Sequence, residues 1–229
     1  MLKTLIGTVL AGAACLAQAA DLPPLDADVR YDSKTVTHAG VVETRQFHNR
    51  LIRRPGHVWR ERVIPLQVDG AHVHAVATAA PSHKHVDFDT ASQHLSRGAQ
   101  GEIRAEYVDR QQRQVIFVPP TEYSVSGFDG SWDNAAMMVA ETTVMAMPVS
   151  ARKAGTADAK WHEQAGHGWY NRVLWSDKYK VALIVESGKT DGTVVRRTVV
   201  EPTVVTPDRQ LPWKKLAGFQ QKEYDDFMD

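Results

Sequence analysis

"GVVETRQFHNRLIRRPGHVWRERVIP", residues 40–65, decides how this chain is read. Val41, Phe47 and Leu51 share one parity, and Trp59 and Val63 stand opposite Arg60 and Arg62. A repeat of two belongs to a strand, because successive side chains point to opposite faces of a sheet. Between the two halves stands Pro55-Gly56. Proline fixes φ and glycine tolerates a left-handed backbone, so the pair turns the chain. A connection this short joins antiparallel strands, since parallel ones need a long crossover.

The same rhythm extends along the chain. "GEIRAEYVDR" (101–110) puts Ile103, Ala105 and Tyr107 on one face, and "RQVIFVPP" (113–120) pairs with it across a polar turn. "GWYNRVLW" and "KYKVALIVE" flank Ser176-Asp177. "KVALIVE" then meets "TVVRRTVVEP" across "SGKTDG", where Asp191-Gly192 signals a turn. "DLPPLDAD" (21–28) reads as an irregular lead-in because of its two prolines. Three segments have helical character. "TASQHLSRG" (90–98) is short and ends at glycine. "WDNAAMMVAETTVMAM" (132–147) offers Asp133 or Asn134 as a cap. "PWKKLAGFQQKEYDDFM" (212–228) sets Leu216, Phe219 and Phe227 near one face, as a docking helix would, and reads equally as a frayed tail. The fold class expected is α+β: one curved antiparallel sheet, an incomplete barrel, with a few helices over its concave face.

The chain has 229 residues, with Lys+Arg and Asp+Glu at 27 each. A balanced charge supplies no overall field to draw nucleic acid or an anionic membrane. Residues 1–20 stand apart. Lys3 precedes the apolar run "TLIGTVLAGAACLAQAA", which is too short to span a bilayer, and Ala17-Gln18-Ala19 forms a small-x-small site. This predicts a secretory signal, a periplasmic mature protein and a single domain over 21–229. The one cysteine, Cys15, lies inside that signal. Gly12 stands where a lipobox has Leu, so a lipid anchor at Cys15 is not expected. After cleavage no thiol would remain for a disulfide, a nucleophile or a metal.

The stretch "RRPGHVWRERVIPLQVDG" (53–70) resembles the family of the periplasmic lipoprotein carrier LolA, and with it RseB-type regulators and other outer-membrane lipoprotein-sorting homologues. In that family an early strand ends at a Pro-Gly turn and the next opens with an aromatic and an Arg-Glu pattern, here Pro55, Gly56, Trp59, Arg60 and Glu61. "WYNRVLWSDKYKVALIVESGKTDGTVVRRTVVEP" is similar to a later part, with Asp177 in the turn. The family's following proline is absent, and Val181-Ala182-Leu183 stands there. The resemblance implies a half-closed sheet with an apolar pocket under its helices. Trp59, Phe117, Trp132, Met137 and Met138 are the residues expected to line it. The partner would then be a lipid-like or acylated ligand or a lipoprotein. The methionines equally suit a helix packed on a sheet as plain core.

Two histidine patterns invite a metal. In "WHEQAGHGW" (161–169), His162 and His167 are five apart. Zinc hydrolases of the His-Glu-x-x-His type need four, so that both imidazoles share a helix face. At about 100° per residue, five residues diverge by roughly 140°. The stretch is therefore read as a loop leading into the next strand. His72, His74, His83 and His85 form two i, i+2 pairs with His94 beyond, and a hairpin through "VATAAPS" would let four imidazoles converge on zinc or copper. Asp87 and Asp89 could support them. The plainer reading, a solvated polar strand face, is preferred, because spacing alone falls short of a ligand signature.

The arginines at 45, 50, 53, 54, 60 and 62 read first as a solvated face paired with Glu43 and Glu61, and otherwise as a site for an anionic head group or an acidic partner. No nucleophile elbow, phosphate loop or dinucleotide fingerprint is present in the sequence. A non-enzymatic binding protein with no cofactor is preferred. Metal binding is the alternative, and an enzyme is left open.

Overall fold

The computed structural model describes residues 22–64 and 87–227. His72, His74, His83 and His85 lie outside them, as do residues 1–20. Strands β1 (Leu25–Val36), β2 (Val42–Arg54), β3 (His57–Val63), β4 (Ser92–Arg97), β5 (Ile103–Asp109) and β6 (Gln114–Val118) run as an antiparallel meander. Two short helices follow, α1 (Trp132–Met137) and α2 (Glu141–Met145). A second meander then forms from β7 (Ala159–Gly166), β8 (Trp169–Ser176), β9 (Val181–Lys189) and β10 (Val194–Pro202), and β10 pairs with β1. β11 (Gln220–Glu223) adds to β6 in parallel. The result is one curved, unclosed sheet of 11 strands, ordered β11-β6-β5-β4-β3-β2-β1-β10-β9-β8-β7.

The two faces bury different things. Leu51 and Val58 belong to the main core with Leu25, Ala27, Val29, Leu95, Trp175 and Val200, and Ala135, Ala136, Met137, Val144 and Met147 of the helical crossover join them. Ile52 and Trp59, next in sequence and so on the opposite face, pack instead with Val108, Val115 and Leu211. The C-terminal segment closes that second cluster with Trp213, Leu216 and Phe219.

The hairpins read from sequence form as expected, with Gly56 at φ 67° in the first turn. Four local expectations are corrected. Residues 92–97 are strand β4, because Ser92, His94 and Leu95 bury between β3 and β5. Residues 159–166 are edge strand β7 rather than a loop, and the turn falls at His167-Gly168, both with positive φ. The lead-in is shorter than 21–28, since β1 begins right after Pro24. The described part of the 212–228 segment, up to Phe227, is not one α-helix: a 3-10 turn at Pro212–Lys215 precedes β11, and a second follows at Tyr224–Phe227.

The segment 132–147 is helical but broken. Met138 has a φ of 68°, which ends α1, and the Asn134 side chain accepts from the Ala140 N–H at 3.1 Å across the break. The N-cap is Ser131, whose Oγ accepts from the Asn134 N–H, in place of the expected Asp133 or Asn134.

Candidate functional site

Register places one row of side chains across the sheet: Asp26, Ile52, Trp59, His94, Glu106 and Phe117 stand opposite one another from β1 to β6. Opposed residues share a face, so the row is continuous. The C-terminal segment crosses it as a strap. At one end the buried carboxylate of Asp26 accepts from the Thr206 N–H at 3.1 Å, from the Thr206 hydroxyl, and from Arg54 Nη1 at 2.6 Å. Arg54 Nη2 donates to the Thr206 carbonyl at 2.7 Å, and Arg50 donates to its hydroxyl at 2.8 Å. At the other end β11 pairs with β6.

Mid-row, Trp213 of the strap stacks on His57 and His94, at ring centroid distances of 5.2 and 5.4 Å. His57 Nδ1 lies 3.1 Å from His94 Nε2, and His94 Nδ1 lies 3.1 Å from Glu106 Oε2. Arg104 donates to the other Glu106 oxygen at 2.8 Å. The hydrogen bond from His94, with Arg104 adding to it, holds the Glu106 carboxyl below the usual carboxylate range. The Glu106 carboxylate thus lies at the end of a chain of close polar contacts that runs through His94 to His57. Burial lowers the pKa of His57, and the neighbouring His94 and Lys214 lower it further.

Beside this row, strap and sheet enclose a cleft lined by Arg50, Glu61, Arg110, Gln210, Pro212, Lys215, Leu216 and Phe219. Glu61 is its only carboxylate, and it is engaged by Arg110 at 2.8 Å, by Arg50 at 3.9 Å and by the Trp59 indole N–H at 2.9 Å. Lys215 has no ion-pair partner among the described residues. The cleft is thus cationic, with Pro212, Leu216 and Phe219 as an apolar flank.

The structure divides the apolar residues expected to line a pocket. Trp59 is fully buried behind the cleft, and Phe117 shares its row under the Arg104 guanidinium, 4.3 Å from the ring centroid. Trp132, Met137 and Met138 pack into the main core on the other face. The five do not meet in one cavity. His94 is the one expected metal residue among those described, and both its ring nitrogens are engaged. No group of three or more His, Cys, Asp or Glu among the described residues is placed to hold an ion. His162 is buried with Nδ1 3.1 Å from the Met147 carbonyl, while His167 is exposed in a turn, so "HEQAGH" assembles no metal centre.

The arginine cluster is not one solvated face. Arg53 and Arg54 are buried on opposite faces, which the alternating pattern required but the charge concealed. The strap's part in the site was also missed. Its signal is Leu211, Trp213, Leu216 and Phe219: the helix reading takes in Leu216 and Phe219 alone, and the structure places all four in an extended clasp.

No family model matches the chain, and no curated protein matches it. Solved structures do resemble it. PNGF-II shares 11% identity over 89% of this chain at a TM-score of 0.37, and this chain spans only 33% of its length. An outer membrane lipoprotein-sorting protein domain from Vibrio parahaemolyticus shares 8% identity over 84% of this chain and 89% of its own, at a TM-score of 0.31. A DUF1329 family protein from Desulfovibrio piger shares 10% over 87% and 91%, at 0.28. The structural neighbours therefore include a lipoprotein-sorting domain, the group that the sequence resembles. Identity this low leaves function to the residues themselves. No helix among the described residues is long and apolar enough to cross a membrane.

Proposed function

We propose that this chain is a periplasmic, non-enzymatic binding protein for a lipid-like or acylated ligand, serving as a carrier, chaperone or envelope sensor. In this reading residues 1–20 are removed as a signal and 21–229 act as one domain, with α1 and α2 over the concave face. The observation that carries it is the cleft under the strap, where Arg50, Arg110 and Lys215 face Leu216 and Phe219 across one pocket. Three cations against one carboxylate suit an anionic head group, and the adjoining apolar flank suits the first carbons of a chain. Trp59, buried behind the cleft, holds the Glu61 carboxylate in place through its indole N–H. The strap rests on the smaller of the two apolar clusters packed at the sheet centre, so it can part from the sheet without opening the main core.

Native mass spectrometry of protein taken from the periplasm is the test. An added mass that fragments as an acylated species supports the proposal, and Lys215→Glu/Leu216→Asp removes that mass while thermal unfolding stays cooperative. Ligand-free protein that also leaves a fluorescent fatty acid unbound would overturn it. The same spectrum reads the metal alternative, since zinc or copper on His72, His74, His83, His85 and His94 adds a metal mass lost in His72→Ala/His74→Ala.

A further inference from the structure

At one end the sheet outruns its core. Beyond the row of Ser33, Arg45 and Arg196, the described side chains are all at least partly exposed. Three hairpin turns line up along this edge. The Val36 N–H donates to the Thr193 carbonyl, joining the β1–β2 and β9–β10 turns, and the Thr190 N–H donates to the Gly168 carbonyl, joining the latter to the β7–β8 turn. Gly40, Gly192 and Gly168 hold the positive φ that makes these turns tight.

The tips carry the wrong side chains for water. Val41 is 57% exposed, Val42 56% and Trp169 44%. Around them stand Lys34, Arg45, Lys189 and Arg196 against two carboxylates, Glu43 and Asp191. Asp191 is already spent, accepting from the Thr193 N–H and hydroxyl at 2.9 and 2.7 Å. Lys34, Arg45 and Arg196 have no ion-pair partner among the described residues, and Lys189 lies over the Trp169 ring, 5.7 Å from its centroid, within electrostatic reach of Asp191. The next row inward is different, because there Arg172 and Arg197 are matched by Glu186. At this end of the sheet the unmatched positive charge gathers at the apolar tip.

We propose that this end docks on an anionic lipid bilayer. Trp169, Val41 and Val42 enter the head-group region, where an indole has an apolar body and a polar edge to satisfy. Lys34, Arg45, Lys189 and Arg196 face the lipid phosphates, with their stems along the interface. The neutral total charge of the chain does not oppose this, since attraction to a surface is set within a Debye length of the contact. The docking edge is separate from the cleft under the strap and does not rest on its ligand.

The test is cosedimentation of the mature protein with phosphatidylcholine vesicles, with and without phosphatidylglycerol. Binding is expected only to the phosphatidylglycerol vesicles, and it falls as salt is raised. Lys34→Glu/Arg196→Glu and, separately, Val41→Asp/Val42→Asp/Trp169→Ser each weaken it by at least about tenfold. All these positions are exposed, and circular dichroism melting verifies that the variants fold. Lys178→Glu, in the exposed β8–β9 turn at the opposite end of the strands, binds vesicles like the unaltered protein. Equal binding to neutral vesicles, no binding to anionic ones, undiminished binding by either tip variant, or loss of binding in Lys178→Glu would each overturn the proposal.

Discussion

The Arg53 guanidinium donates to the Ala136 carbonyl at 2.7 Å, so one side chain of β2 holds the end of α1 against the sheet. It also donates to the carbonyls of Pro23 at 3.1 Å, Lys180 at 3.0 Å and Tyr179. Burial pushes the group down to about 10, so it remains charged near neutral pH. It has no carboxylate partner among the described residues, and its charge is spread over main-chain oxygens from three segments far apart in sequence. Arg53→Met would leave these acceptors unmet, at about 1–3 kcal/mol for a buried group that loses its partner. The expected result is a loss of at least about 3 kcal/mol in urea unfolding. Arg53→Lys should recover only part, because an ammonium cannot span the same fork. A variant as stable as the parent would contradict the clasp.

Thr206 anchors the strap, and its role is testable apart from the ligand. Its hydroxyl gives to Asp26 and takes from Arg50, both charged partners. Thr206→Val keeps the shape and removes these bonds, at about 1.5–3 kcal/mol. Limited proteolysis should then cut within 203–219 sooner, while the fragment ending near Pro202 stays resistant. Uniform degradation of the whole chain would show that strap and sheet open as one unit.

Acid should loosen the strap in two steps. The folded-state pKa of His57 is lowered, so the unfolded chain takes up the proton first as pH falls. Stability from this group is full above the ordinary histidine value of about 6.5 and declines below it, toward the lowered folded value. Two protonated rings at 3.1 Å would also repel. Glu106 adds a second, more acidic window: its lowered pKa gives stability that is present above the ordinary carboxylate value and lost as pH falls through the folded one. Melting temperature followed from about pH 7.5 to about pH 5 should fall, and His57→Asn should flatten that first slope only. An unchanged slope would remove His57 from the account.

Much of this fold could be read from alternation. The Pro55-Gly56 and Asp191-Gly192 turns fixed two hairpins, and a two-residue period located most of the other strands. What failed shares a cause. Residues 92–97 carry His94 and Ser92 where a buried strand usually has apolar residues, and their burial rests on partners in β3 and β5. The strap sets Leu216, Phe219 and Phe227 at spacings that fit a helix, but the positive φ of Gly218 interrupts it, and contact with Ile52, Trp59 and the histidines sets its path. Arg53 looked solvated because its partners are carbonyls, which leave no mark in a sequence.

Met137 tells core from pocket. It is buried among Ala136, Val144, Trp175 and Val181 in the main cluster, on the face away from the cleft. Met137→Ala therefore removes packing and leaves a void, at about 2–5 kcal/mol. Ligand uptake by the folded fraction should be unchanged, since none of the cleft residues belongs to that cluster. Urea midpoints and fatty-acid titration on one preparation separate the two effects. A variant with full stability and weakened uptake would move the binding surface to the α1 face, where Trp132 and Met138 also stand, and would return the apolar pocket to the place under the helices that the family resemblance implies.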